Sequence, residues 1–452
     1  MKDELPSGWA RAKLDEIALI NPPGASTTVP DAQEVTFIPM AAVEALTDRI
    51  DVSHTRAFGE VKKGFTRFRE GDVLFAKITP CMENGKIAVA RGLRDGVGCG
   101  STEFHVLRPT AAATPEYLRY YLVQSGFRRE AQRNMQGAVG QQRIPPDYLR
   151  ESALPVAPRR EQQRIVARIE ELFSEIDEGE RALERVRKLV ERYRQSVLKA
   201  AVTGELTRQW RAANSAFEWS RQEISDIGEV TTGSTPPTAD PDNYGPGLPF
   251  LKPTDLDQGY AVTTGRQSLT KQGLHHCRPL KANTVLVTCI GATIGKLGLT
   301  RMPCATNQQI NAVEVDHSRM RAKFLYWYLA SPAGQQAIIG GASATTLPIL
   351  NKSRFQSIEV PVPSLAEQDV LISVIEQHME QADRAMSTVE HESHRSHALR
   401  QAILKAAFSG QLVPQDPADE PASALLARLA KQAGEAQNAT QRKGRRVRTA
   451  TP

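Results

Sequence analysis

The sequence predicts an α/β + α fold. Two mixed α/β domains alternate with two long helices that pair as an antiparallel coiled coil, the whole forming a pseudo-two-fold internal duplication. Three observations carry this. Leu154-Pro155-Val156-Ala157-Pro158 followed by Glu161-Gln162 returns as Val360-Pro361-Val362-Pro363 followed by Glu367-Gln368. Val197-Leu198-Lys199-Ala200-Ala201-Val202-Thr203-Gly204-Glu205-Leu206 returns as Ile403-Leu404-Lys405-Ala406-Ala407-Phe408-Ser409-Gly410-Gln411-Leu412. The offset is 206 residues at both places (367 − 161 and 410 − 204), so no residue has been inserted or lost between them, and a fixed internal period marks a duplicated structural unit. Between those landmarks the apolar residues recur with the period of a helix.

Residues 1–155 make the first α/β domain. Its short apolar runs, Val73-Leu74-Phe75-Ala76 and Ile87-Ala88-Val89-Ala90, are broken by Gly, Pro, Asn and Asp, the punctuation of strands and turns. Pro115 to Arg129 reads as an amphipathic helix, with Tyr117, Leu118, Tyr121 and Leu122 on its apolar face. Residues 156–212 hold the first spacer helix. Ile165, Ile169, Leu172, Ile176, Gly179, Leu183, Val186, Val190, Tyr193 and Val197 step alternately by four and three, an unbroken heptad seam with Gly179 as its weak position. A helix of roughly 35–40 residues is about 55 Å long.

Residues 213–360 repeat the first plan loosely. Trp9 and Trp219 each open a domain, Leu14 and Ile17 match Ile224 and Ile227, and Gly85-Lys86 matches Gly295-Lys296. The interior loops differ: Thr79-Pro80-Cys81-Met82-Glu83-Asn84 has little in common with Cys289-Ile290-Gly291-Ala292-Thr293-Ile294. A shared scaffold with divergent loops fits two readers of different short words; two copies drifting neutrally would look the same. Residues 361–415 hold the second spacer helix. Its seam, Leu371, Ile375, His378, Ala382, Ala385, Val389, Glu392, Ser396, Leu399 and Ile403, is apolar at its ends and polar in its middle. The stronger seam is therefore expected to face the weaker one, leaving the middle partly solvated. Pro155, Pro158, Pro361 and Pro363 stop the preceding strands and stiffen both junctions. Residues 416–452 form a tail: a short helix from Ala422 to Ala433 through Leu425, Leu426 and Leu429, then a basic end of disordered composition.

The chain is long enough for two to four domains, and its 24% charged and 40% hydrophobic residues are ordinary for a globular protein. Of the net charge of +6, five positive charges fall in the last eleven residues, at Arg442, Lys443, Arg445, Arg446 and Arg448. The body is close to neutral, so any DNA-binding face must be locally basic. Cys81, Cys99, Cys277, Cys289 and Cys304 show no CxxC spacing, which speaks against a zinc site or a disulfide framework and for a reducing cytoplasm. No apolar run approaches the roughly 18 residues of a membrane span.

Catalytic motifs fail on inspection. Asn21-Pro22-Pro23-Gly24 approaches the Asn-Pro-Pro-aromatic signature of amino-methyltransferases, but Gly24 offers no stacking face. Gly291-Ala292-Thr293-Ile294-Gly295-Lys296-Leu297 is one residue short of a phosphate loop and lacks Ser or Thr after Lys296. Pro30-Asp31 with Glu60-Val61-Lys62 fits only a degenerate nuclease pattern, and His275-His276 has no carboxylate or Cys at ligand spacing.

Taken together, the order of domain, helix, domain, helix resembles the specificity subunit of a type I restriction-modification system. The residues that carry the likeness are Leu154 to Ile165 with its echo through Glu367-Gln368, Ser101-Thr102-Glu103-Phe104-His105-Val106-Leu107-Arg108-Pro109, Gly140-Gln141-Gln142-Arg143-Ile144-Pro145, the paired Leu-Lys-Ala-Ala helix ends, and Leu412-Val413-Pro414-Gln415-Asp416-Pro417. The second copy departs from the pattern, with Ala344-Thr345-Thr346-Leu347-Pro348 in place of the Gly-Gln-Gln-Arg wording and no basic pair before Glu367.

The resemblance implies two target recognition domains, each reading one half of an asymmetric, bipartite DNA site, and a chain with no activity of its own. It implies two methyltransferase subunits docked on the helices and bringing S-adenosylmethionine, and motor-nuclease subunits joining for cleavage. A strut of about 55 Å would set a gap of roughly sixteen base pairs, and four residues inserted after Val197 would shift that gap. Lys and Arg would neutralise phosphates, and polar loop residues would read base edges. The candidates are Lys77, Asn84, Lys86, Gln141, Gln142 and Arg143 in the first domain. In the second they are Lys252, Thr254, Lys296, Asn307, Gln308, Gln309, Thr345 and Thr346. Two alternatives make different forecasts. A single-chain DNA methyltransferase or nuclease would act on DNA without partners. A coiled-coil scaffold with domains that do not bind DNA would show no DNA affinity even beside a methyltransferase.

Overall fold

A computed structural model describes residues 5–23, 29–138, 140–214, 218–343, 348–432 and 434–435. They fall into two compact units, one built from residues 1–181 with 393–452 and one from residues 182–392.

In the first unit, an antiparallel sheet has the strand order Ala18–Ile20, Phe104–Pro109, Val73–Ala76, Ile87–Val89. A second sheet runs Thr55–Ala57, Glu34–Ile38, Val97–Gly100, Thr66–Arg69, with its central pair parallel. A separate ribbon pairs Ala10–Lys13 with Ala153–Val156. Val73–Ala76 is buried on both faces, which explains why it reads as a continuous apolar run rather than an alternating one.

The second unit repeats the first sheet and the ribbon. Its sheet runs Gly228–Thr232, Ile310–Val315, Val285–Thr288, Leu297–Leu299, and its ribbon pairs Ser220–Glu223 with Glu359–Val362. The register is kept: Val73 faces Leu107 in one unit and Val285 faces Val313 in the other. The second sheet is where the copies part, because here it has three strands, Gln267–Leu269, Tyr244–Leu251 and Ala305–Thr306.

The long helices are Arg159–Val202 and Leu365–Phe408, each 44 residues. That is longer than the expected 35–40 and gives a helix of about 66 Å. In both units the two run antiparallel. In the first, Ile165 and Ile169 join Ile403, Leu404, Ala407 and Phe408 in one core, while Arg400 reaches Asp177 and Glu180. In the second, Leu198 and Ala201 share a core with Leu371 and Ile375, and the Tyr193 hydroxyl meets His378 Nδ1 at 2.6 Å.

The seam is covered most fully near the domains, where Trp9 and Tyr117, or Phe324 and Leu325, supply a third layer, and Ala382 and Val389 are buried further along it. Val186 and Tyr193, expected inside the seam, are 40% and 39% exposed, because a pair of helices without that layer shields only a narrow stripe.

Both helices stop in the same way. The Gly204 N–H bonds the Ala201 carbonyl and the Glu205 N–H the Ala200 carbonyl; Gly410 and Gln411 do the same with Ala407 and Ala406. Each glycine has φ of +72°, the left-handed geometry of a Schellman stop. After the second stop, residues 422–432 are helical. The buried Ala422, with Leu426 and Leu429, packs into the core of the first unit, and the Ala422 N–H bonds the Gly8 carbonyl. The basic end beyond residue 435 lies outside the described residues.

Candidate nucleic-acid interface

The duplicated Glu-Gln pair is a clasp. Glu161 is buried and accepts the Trp9 indole N–H at 3.0 Å; Glu367 is buried and accepts that of Trp219 at 2.9 Å. The Gln162 carboxamide accepts the Thr114 N–H and donates to the Ala112 and Ala157 carbonyls. Gln368 accepts the Arg321 N–H and donates to the Arg319 and Pro363 carbonyls. Each clasp ties a domain's first residues and its amphipathic helix to the start of a long helix. The surroundings differ: Glu367 also accepts from Thr207 and Arg211, both at 2.6 Å, whereas near Glu161 the partner of Asp419 is Arg164 at 2.8 Å. Burial pushes the Glu161 carboxyl above the usual carboxylate range, against the Trp9 hydrogen bond that lowers it. Sequence reasoning saw this wording twice without assigning it a role.

The polar loops gather at the ends of the duplicated sheets. In the first unit, the Lys77 N–H bonds the Glu103 carbonyl, and the Ile144 N–H bonds the Lys77 carbonyl. Three segments far apart in sequence, around residues 77, 103 and 143, thus meet. The Arg143 guanidinium takes the Glu103 carboxylate bidentately, Nε and Nη2 both at 2.9 Å. That pairing holds the Glu103 carboxyl below its usual range. The Gln142 carbonyl accepts the Thr79 N–H, and Gln141 is exposed. Beside them lies a recess of about 390 Å³, lined by Asn21, Arg67, Lys77, Thr102 and His105 among others.

His105 is buried, donating from Nε2 to the Ile144 carbonyl at 2.8 Å and accepting at Nδ1 from the Asn21 amide at 2.9 Å. Burial pushes its imidazole below the ordinary range, so the ring is a neutral lock on three loops. Asn21 therefore has a structural post; Gly24 of the same motif lies outside the described residues.

Two first-domain candidates stand apart. Asn84 is exposed in a turn. The Lys86 ammonium donates to the Met40 carbonyl at 2.9 Å from a half-buried position, so its charge is turned inward to hold a loop.

In the second unit the same backbone frame carries other side chains. The Cys289 N–H bonds the Gln309 carbonyl, and the Leu350 N–H bonds the Cys289 carbonyl. Cys289 thus stands where Lys77 does, and Gln309 where Glu103 does. Asn307 is buried and donates to the Gln309 side chain at 2.9 Å, and Gln308 accepts from Thr235. The Asn307 N–H bonds the Leu251 carbonyl, which brings Lys252 and the exposed Thr254 to the same region; the Lys252 ammonium lies 5.8 Å from the Phe250 ring centre. Lys296 is held by Asp257 at 2.6 Å. Thr345 and Thr346 lie outside the described residues.

Sequence reasoning passed over Glu103, although it sits in a quoted motif, and Arg67, whose strand gave no signal for it. Among the described residues, no group of three or more His, Cys, Asp or Glu is placed to hold a metal. Asp31 and Lys62 form an ion pair at 2.6 Å, and among the described residues no helix is long and apolar enough to cross a membrane.

Two copies of one strand-rich scaffold, each clasped to a long helix and each showing a different polar loop cluster, define a duplicated two-domain recognition protein. The chain belongs to the family of the type I restriction modification DNA specificity domain, whose model matches residues 6–185 and 217–388. It is 34% identical over 220 residues to the specificity subunit of the type I restriction enzyme EcoEI from Escherichia coli, a match covering 48% of this chain and 37% of that relative's length. Its likeness to the StySPI specificity subunit from Salmonella potsdam is weaker at 23% but covers 93% of this chain and 92% of that one. A solved chain from work on complex assembly and conformational transition of the type I R-M system superposes with a TM-score of 0.73 at 22% identity, over 90% of this chain and 99% of that one. At that identity the likeness shows the fold.

Proposed function

We propose that this chain is the DNA sequence-recognition subunit of a type I restriction-modification complex and has no catalytic activity of its own. Each domain reads one half of an asymmetric, bipartite site. The observation that carries this is the pair of matching Glu-Gln clasps bearing unlike loop clusters: the backbone hydrogen bonds that join the loops are repeated, while Lys77, Glu103 and Arg143 have no chemical counterparts in Cys289, Gln309 and Ile349. Two methyltransferase subunits dock on the long helices and bring S-adenosylmethionine, and motor-nuclease subunits join them for cleavage. Support for that docking comes from the large apolar side chains that the helices leave in water, Leu189 in one unit and Leu399 in the other, at 59% and 49% exposure.

The test is co-expression with methyltransferase subunits and mapping of methylated positions across a genome. One two-part word is expected, and exchanging residues 1–155 for those of a relative changes one half only. Methylation or cutting of DNA by the purified chain alone, or no DNA affinity in a methyltransferase complex, overturns the reading.

A further inference from the structure

Arg143 carries five N–H donors, and three are engaged. Nε and Nη2 donate to the two Glu103 oxygens, and Nη1 donates to the Gln141 carbonyl at 3.1 Å. One N–H on each terminal nitrogen remains. The side chain is 44% exposed, and Glu103 beneath it 25%. A guanidinium fixed along one edge by a carboxylate cannot swing, so its unspent terminal donors are presented as a rigid pair. Two parallel donors on one planar group match the O6 and N7 acceptors that guanine shows in the major groove. Lys77, which acts on the Glu103 charge, and Arg67 line the adjoining recess, so this corner is locally basic even with Glu103 counted.

The second domain supplies a contrast. The bridge between Ile78 and Arg143 has its equivalent in the bridge between Ile290 and Ile349. At Arg143's place stands an isoleucine, 39% exposed, whose side chain has no donor. A contact to phosphate would be useful in both domains, whereas a contact to a base is needed only where the word demands it.

We propose that Arg143 reads one guanine of the first half-site through O6 and N7, and that Glu103 is the positioning residue that aims it. This rests on the reading of the chain as a DNA-recognition subunit. The test uses the full chain in complex with methyltransferase subunits and duplexes carrying its mapped word. Each guanine of the first half-site is replaced singly by 7-deazaguanine, which lacks the N7 acceptor. One replacement weakens wild-type binding about tenfold, and the same replacement has no further effect in Arg143→Ala or Arg143→Lys. Glu103→Gln keeps the Arg143 charge and lowers discrimination at that guanine while leaving the second half-word unchanged, even though the lost carboxylate strengthens binding to every duplex alike.

If Arg143→Ala weakens binding to every duplex equally and flattens the salt dependence, Arg143 is a phosphate contact and the proposal falls. It also falls if the first half-word contains no guanine that couples to Arg143. A wild-type complex that prefers no two-part word at all would instead remove the reading on which the proposal stands.

Discussion

Replacing Gln162 by alanine measures what the clasp contributes. Its carboxamide accepts the Thr114 N–H at 3.1 Å and donates to the Ala112 and Ala157 carbonyls at 2.8 and 2.9 Å. All three partner residues are buried. Each lost bond removes about 1 kcal/mol net, and a partner left dry adds to that, so Gln162→Ala costs about 4 kcal/mol. Gln368 has the same geometry, at 2.7 Å to the Arg321 N–H and 2.9 Å to the Arg319 and Pro363 carbonyls. There Arg319 is exposed and Arg321 half-buried, so water replaces two of the three bonds and the cost falls to about 2 kcal/mol.

Native-state hydrogen exchange at the Thr114 and Arg321 amides reads each site separately. Protection falls several-hundred-fold at Thr114 and about thirtyfold at Arg321, at 1.4 kcal/mol per factor of ten. Equal losses in the two units, or a larger loss at Arg321, would refute the reasoning. So would a Gln162→Glu variant as stable as wild type, since that change sets an oxygen against two carbonyls.

Gly410→Ala places a Cβ at positive φ and 2.2 Å from Pro6 Cγ; it lowers stability by at least about 1–2 kcal/mol, visible as a lower thermal midpoint. His105 has its folded-state pKa depressed, so the unfolded chain binds the proton more readily. Stability tied to it is complete above the ordinary histidine range and is lost as pH falls through that range toward the folded value. A thermal midpoint that drops between pH 7.5 and 5.5, and drops less in His105→Gln, is expected. Lys77→Ala reduces the salt slope of DNA binding by about one, while Lys86→Ala lowers thermal stability with the slope unchanged. Inserting residues after Val197 would break the buried Val197–Leu198 packing, so the spacer is better lengthened by matched heptads within residues 184–192 and 384–392. About 10 Å per insertion lengthens the preferred gap by about three base pairs and leaves both half-words unchanged in methylation maps.

The periodic features were legible because their cause is local. The 206-residue offset reappears in the matched helix stops and in the strand pair Phe104–Pro109 and Ile310–Val315, and the heptad seam reappears as two helices. What escaped depends on partners distant in sequence. Gly85-Lys86 and Gly295-Lys296 look alike, yet one ammonium holds the Met40 carbonyl and the other pairs with Asp257. Nothing near Arg143 in sequence announces Glu103, forty residues earlier. The polar middle of the second seam foretold partial solvation; the unbroken first seam misled at Val186 and Tyr193, because heptad spacing says which face is apolar, not whether a third layer covers it.

The two units are built from different patterns of chain. Residues 182–392 are continuous, whereas the other unit joins the described residues up to 181 with those from 393 onward, and Ala422 and Asp419 take part in its core and its ion pairs. During synthesis from the ribosome, the unit encoded in the middle therefore has all its parts first. The one encoded at the start can close the cores within residues 29–106 early, whereas the core that takes in Ala422, Leu426 and Leu429 is completed only after more than two hundred residues beyond residue 181 have emerged.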